Sequence, residues 1–214
     1  MTELVFILDR SGSMSGLEAD TIGGFNAMLK KQRLQDDRTL VSTVLFDNTS
    51  EVIHDRIPLE RVPQLTEEDY QVRGCTALLD AVGDAIHHIG NIHKYARRED
   101  VPTKTLFVIT TDGMENASRR HSYETVRRLI ERQKQKYDWE FLFLGANIDA
   151  AKEAGRFGIA PERAVEYCCD EAGTALNYSV ISDVVTDIRC GRRVSEDWSR
   201  PIEQDRKARG KKYN

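Results

Sequence analysis

Nowhere in the 214-residue chain do apolar residues run for the roughly 20 positions that a helix needs to cross a bilayer. The first apolar stretch, Leu4 to Leu8, follows Met1-Thr2-Glu3 and ends at Asp9, with neither the basic n-region nor the small-residue cleavage site of a secretory signal. It has the length of a buried strand. Cysteine is sparse: Cys75, Cys168, Cys169 and Cys190 form no C-x-x-C, and the adjacent pair cannot easily bridge to itself, a pattern that suits a reducing compartment. A soluble, cytoplasmic protein is therefore expected. Excess positive charge is missing too, since 31 Lys and Arg face 35 Asp and Glu, which excludes the broad basic surface of a general nucleic-acid or anionic-membrane binder. Neither G-x-G-x-x-G nor G-x-x-x-x-G-K-[ST] follows the first apolar run, so nucleotide binding has no support. No internal repeat or low-complexity linker divides the chain.

Hydrophobic residues at 40% and charged residues at 31% are enough for a core under a solvated surface, and the length suits one α/β domain. Apolar runs suited to buried parallel strands recur at Leu4 to Leu8, Leu40 to Phe46, Thr105 to Thr110 and Phe141 to Leu144. A short strand is expected at Ala164 to Tyr167. Between them lie stripes of helical period: Phe25, Met28 and Leu29; Ala77 to Ile89; Val126, Leu129 and Ile130; and Ile181 to Ile188. Glu51 to Ile57 follows its predecessor after a turn too short for a crossover, so it is predicted to be an antiparallel edge strand. The pattern predicts a doubly wound, mostly parallel α/β sheet with one antiparallel edge strand and helices on both faces, over residues 1–190. Residues 191–214, with eight basic against four acidic residues and no periodic apolar face, read as a basic, flexible tail.

In an open parallel sheet ligands bind beyond the carboxyl ends of the strands. Three such places are rich in oxygen. Asp9-Arg10-Ser11-Gly12-Ser13 follows the first strand, Gly74-Cys75-Thr76 precedes the Ala77 helix, and Thr110-Thr111-Asp112-Gly113 follows the strand Leu106 to Ile109. Carboxylate and hydroxyl oxygens suit a hard cation.

Asp9-x-Ser11-x-Ser13, Thr76 and Asp112 together resemble the metal-ion-dependent adhesion site of von Willebrand factor A (VWA) domains, in type, order and context. The resemblance extends over Met1 to Cys190, without departure at the five positions. It implies a Rossmann-like fold, with Ser11, Ser13 and Thr76 contacting a metal through hydroxyls and Asp9 and Asp112 acting directly or through waters. The cation implied is Mg²⁺, with Mn²⁺ or Ca²⁺ as alternatives. The function implied is non-catalytic recognition of a protein partner that presents an Asp or Glu carboxylate. Its short form is similar to bacterial stand-alone intracellular members, including the tellurium-resistance-associated kind, which implies an adaptor or assembly role.

Each residue also has a plainer reading. Asp9, Ser11 and Ser13 could cap the first helix, Thr76 could be an N-cap, and Asp112-Gly113 could be a turn; only a shared site explains all three loops. Glu115 and Asn116 are either rim residues or loop polarity. His87, His88 and His93 read as surface or helix-end histidines, and Cys168 and Cys169 as packing. Gly23-Gly24 suggests close packing against the sheet. Two rival functions remain. A Mg²⁺-dependent phosphatase of the haloacid dehalogenase type needs a second aspartate where this chain has Ser11. A scaffold with a purely structural metal would keep its partner without an open coordination position.

Overall fold

A computed structural model of the protein describes residues 1–35 and 37–210. Strands β1 (Thr2–Asp9), β2 (Thr39–Phe46), β3 (Ser50–Pro58), β4 (Lys104–Thr111), β5 (Glu140–Ala146) and β6 (Ala164–Tyr167) form one sheet in the order β3-β2-β1-β4-β5-β6. All neighbours are parallel except β2 and β3. Only Asp47-Asn48-Thr49 separates those two, and the Asp47 carboxylate closes the turn by accepting the Thr49 amide at 3.0 Å.

The helices are α1 (Glu18–Gln32), α2 (Leu78–Tyr95), α3 (Tyr123–Tyr137), α4 (Ala150–Arg156), α5 (Glu171–Arg189) and α6 (Arg200–Gly210). Side chains alternate across β1, which is buried along its whole length. Leu4, Phe6 and Leu8 join Phe25, Met28 and Leu29 of α1 and Ile181, Val184 and Val185 of α5 in one cluster. Val5 and Ile7 join Leu78, Val82 and Ile86 of α2 and Val126 and Ile130 of α3 in the other. From β1 the chain winds outward through β2 and β3, then returns to β1's other side and winds outward again through β4, β5 and β6. Connections after β1 and β4 thus leave in opposite directions, and a crevice opens at their carboxyl ends.

One expectation is corrected. The segment after Cys190 is not a flexible tail over its described part: Val194, Trp198 and Ile202 are buried in the α1/α5 cluster, and α6 covers β6. Val194 and Trp198 lie in the segment that precedes α6, and Ile202 in its first turn. The basic residues are paired as well, Arg206 with Glu166 and Arg209 with Asp170 and Asp205. Residues 211–214 of the expected tail lie outside the described residues. His93 is a helix-end histidine, as expected, in the last turn of α2, and it lies against the fully buried Glu3, itself paired with Arg56 at 2.6 Å.

Close packing at Gly23-Gly24 is real, but its partner is a helix and not the sheet. A Cβ on Gly24 would lie 2.3 Å from Cδ2 of Tyr178 in α5, whereas one on Gly23 would meet nothing within 4 Å. Gly24→Ala should therefore destabilise the protein by about 1–3 kcal/mol through overpacking. Gly23→Ala, one residue away in the same helix, should be neutral or gain up to ~1 kcal/mol from helix propensity. Urea unfolding of the two variants is the measurement; equal effects would show that the α1–α5 contact does not depend on this glycine.

Candidate metal centre

The first loop takes its shape from the residue between the candidate ligands. Arg10 is 2% exposed and turns toward the β2–β3 connection, where Nε donates to Asp47 at 3.0 Å and a terminal nitrogen pairs with Glu51 at 2.9 Å. Arg73 reaches the same Asp47 oxygen at 2.9 Å. Burial pushes the Asp47 carboxyl up, but the Thr49 amide and the two guanidiniums outweigh it and hold the group below its ordinary range. Asp9 stays in the crevice. Its Oδ1 accepts the Ser11 amide at 2.7 Å, and its Oδ2 accepts the Thr111 hydroxyl at 2.6 Å and the Asp112 amide at 3.3 Å. Tyr70, buried beside it, donates to the Asp9 carbonyl.

The second loop is brought alongside by Gly74. This residue has φ +68°, and the oxygen of Asn48 stands 1.9 Å from where a Cβ would be, so only glycine fits. That oxygen accepts the Cys75 amide at 2.8 Å, while the Gly74 carbonyl accepts the Gly12 amide at 3.1 Å. Thr76 Oγ1 then donates to Ser11 Oγ at 3.0 Å, and Ser11 Oγ stands 3.1 Å from Ser13 Oγ. None of these hydroxyls caps a helix. The amides at the start of α2 are served by the third loop: Asn116 accepts Thr76 N at 2.9 Å, Glu115 accepts Leu79 N at 2.8 Å, and Ser118 accepts Asp80 N at 3.0 Å. Glu115 and Asn116 are thus loop residues that hold the start of α2. The Glu115 carboxylate also opposes the positive end of the α2 dipole, which would otherwise point toward a cation site.

The structure brings Asp9, Ser11, Ser13, Thr76 and Thr111 into one hydrogen-bonded group. Asp112 joins through its amide, while its carboxylate faces the β5–β6 side: Asn147 donates to one oxygen and the Cys169 thiol to the other at 2.9 Å. Burial, and then the neighbouring carboxylate, push the Cys169 thiol well up, so it acts as a donor. Cys169 is thus more than packing. Asn147, Cys169 and Thr111 were not among the sequence candidates. The strand-end rule applied to β5 and β6 would have pointed at the first two, since Asn147 directly follows β5 and Cys169 is the second residue after β6.

Asp9 is 1% exposed and Asp112 4%, and among the described residues neither has a salt-bridge partner. Burial pushes the Asp9 carboxyl above its ordinary range against the hydrogen bonds from Ser11 and Thr111. Two buried carboxylates without a basic side chain, next to three converging hydroxyls, are a donor set that a divalent cation would neutralise. Among the described residues no three His, Cys, Asp or Glu converge, so the residues present fit a hard, oxygen-bound ion held largely by hydroxyls.

Sheet order, the antiparallel edge strand and helices on both faces define a Rossmann-like α/β domain of the VWA kind. The chain belongs to the family of VWA domain containing CoxE-like proteins, whose model matches residues 1–137. No curated protein matches it in sequence. Among solved structures it is similar to the D319A mutant of the PilB minor pilin from Streptococcus sanguinis, with TM-score 0.60, 12% identity, and coverage of 86% of this chain and 61% of that one. It is also similar to proximal thread matrix protein 1 from the mussel byssus with a zinc-occupied MIDAS motif, with TM-score 0.57, 11% identity, and coverage of 86% and 45%. A third is a von Willebrand factor type A from Catenulispora acidiphila, with TM-score 0.56, 16% identity, and coverage of 87% and 42%. The chain spans only 42% to 61% of the length of these structures, and at such identities the likeness is one of fold.

The loop that carries Asp112 is anchored at its far end by Asp80, in the first turn of α2. Asp80 accepts the amides of Arg119 at 2.9 Å, Arg120 at 2.9 Å and His121 at 2.8 Å. Burial pushes its carboxyl up, but the three amides and the Arg120 charge win and hold it below the ordinary range. A lowered folded value means stability that is complete above ~pH 4 and lost as the pH falls through the lowered value. Asp80→Ala should cost about 1–3 kcal/mol at neutral pH by orphaning those amides. The gap between wild type and variant should narrow at about pH 3. Denaturant unfolding at both pH values checks it.

Proposed function

We propose that the crevice holds a divalent cation, and that the chain uses it to recognise a protein partner and catalyses no reaction. The observation that carries this reading is the convergence of Ser11, Ser13 and Thr76 from two separate loops beside two buried carboxylates that lack basic partners. Among the described residues the hydroxyls of Ser11 and Ser13 have no histidine or lysine partner that could activate a nucleophile. Neutral hydroxyl ligands leave a cation most of its charge. A carboxylate from an Asp or Glu of the partner is the ligand that such an ion attracts, in exchange for a bound water. Oxygen donors favour Mg²⁺, with Mn²⁺ or Ca²⁺ as alternatives, while the byssus protein's motif is occupied by zinc.

An adaptor or assembly role inside a bacterial cell suits this chemistry. No helix among the described residues is long and apolar enough to cross a membrane. The cysteine pattern favours a reducing compartment.

Calorimetric titration with Mg²⁺ and Mn²⁺ tests the site. Wild type should bind a single cation and stay folded when it is chelated, because both core clusters are complete without metal. Thr76→Ala should weaken binding by on the order of tenfold or more. Its melting should shift by less than a lost helix cap, about 0.5–2 kcal/mol, because the Thr76 hydroxyl caps nothing. Thr76→Ser should keep most of the affinity. Equal binding by wild type and the alanine variant, or unfolding on chelation, would sink the reading.

A further inference from the structure

Of the five candidate ligands, Asp112 has the carboxylate most fully committed elsewhere. Asn147 donates to one oxygen and Cys169 to the other at 2.9 Å. Neither oxygen accepts from Ser11, Ser13 or Thr76, whose hydroxyls bond to one another. The two donors stand just past β5 and β6, on the side of β4 away from β1, so they turn the carboxylate along the sheet and out of the hydroxyl group. Asn147 is exposed and sits at φ +56°, a conformation asparagine tolerates better than most residues. Its side chain is spent on Asp112. Asp9 is engaged in a similar way, with both oxygens accepting donors from Ser11, Thr111 and Asp112.

We infer that Asn147 and Cys169 are positioning residues that keep Asp112 in the outer sphere of the cation, acting on it through water. The inner sphere is thereby left to neutral hydroxyls and to the partner's carboxylate. This rests on the metal-binding reading above. Its physical sense is that a carboxylate moved onto the ion would cancel the charge that the partner must feel.

The test uses Mn²⁺ alone as probe, with wild type, Asn147→Gly, Cys169→Ala, the two combined, and Cys169→Ser. Glycine adopts the backbone of residue 147 without strain, and serine keeps a donor at 169. Melting of each variant establishes that it is folded. Calorimetry gives affinity, and solvent-proton relaxation counts the waters on bound Mn²⁺. With the clamp removed, Asp112 can reach the ion. The combined variant should therefore bind on the order of tenfold tighter and lose a bound water, each single variant should move the same way by less, and Asp112→Asn added to it should erase the gain. Cys169→Ser should match wild type. An affinity loss of about 10–100-fold with unchanged hydration, the signature of a lost orienting contact, would overturn the inference. So would an extra bound water on Asp112→Asn in the wild-type background, since Asp112 would then already be an inner ligand. Failure of wild type to bind Mn²⁺ would remove the metal site itself and this inference with it, an outcome that calorimetry separates from the hydration result.

Discussion

The carboxylate of Asp9 ties the two halves of the sheet together at the point where strand order reverses. One oxygen takes the Ser11 amide and so turns the chain sharply as β1 ends; the other takes the Thr111 hydroxyl and the Asp112 amide from the end of β4. Parallel strands that wind away in opposite directions leave a gap at their carboxyl ends, and this side chain spans it. The positions of Ser11 and Ser13 on one side, and of Asp112 on the other, follow from that link. A neutral isostere could accept fewer of these donors, so the residue is constrained by structure as well as by any cation it faces.

Charge is distributed in two ways around that link. Arg10, between Asp9 and Ser11, is buried but fully answered, by Asp47, Glu51 and the Asp69 carbonyl. Removal of one partner from such a buried pair would strand the other. Asp9 and Asp112 are buried without any answering base among the described residues. Stability alone does not favour such an arrangement, because desolvation of a carboxylate opposes folding and only hydrogen bonds offset it here. Two unmatched acids beside three hydroxyls are better understood as a structure completed by an ion than as a structure finished without one.

The solved structures that this chain resembles share its fold but little sequence, and they are longer than it is. Two features of this chain lie at the β5–β6 side of the crevice and beyond it. Cys169 and Asn147 close around Asp112, and α6 with Trp198 and Ile202 completes the core over the last strand. Trp198 locks this segment by donating to the Glu162 carbonyl at 2.8 Å.

Where physics acts over a few residues, the sequence by itself determined the answer. Apolar runs of four to seven residues became β1, β2, β4 and β5, the short Asp47 turn forced β3 antiparallel, and stripes of helical period became α1, α2, α3 and α5. The oxygen-rich loops were legible because chain topology sends strand ends to a common edge. Tertiary structure alone decided which partner each side chain took. Asp112 meets Asn147 and Cys169 across 35 and 57 residues, and Asp80 holds amides 39 to 41 residues away. Period and composition carry no record of such pairs. The seven residues of α4 are too few to show a period, and Val194, Trp198 and Ile202 show none because only Ile202 lies within a helix. Gly24 shows the same division: sequence marked a place without a side chain, and only the approach of α5 put Tyr178 there.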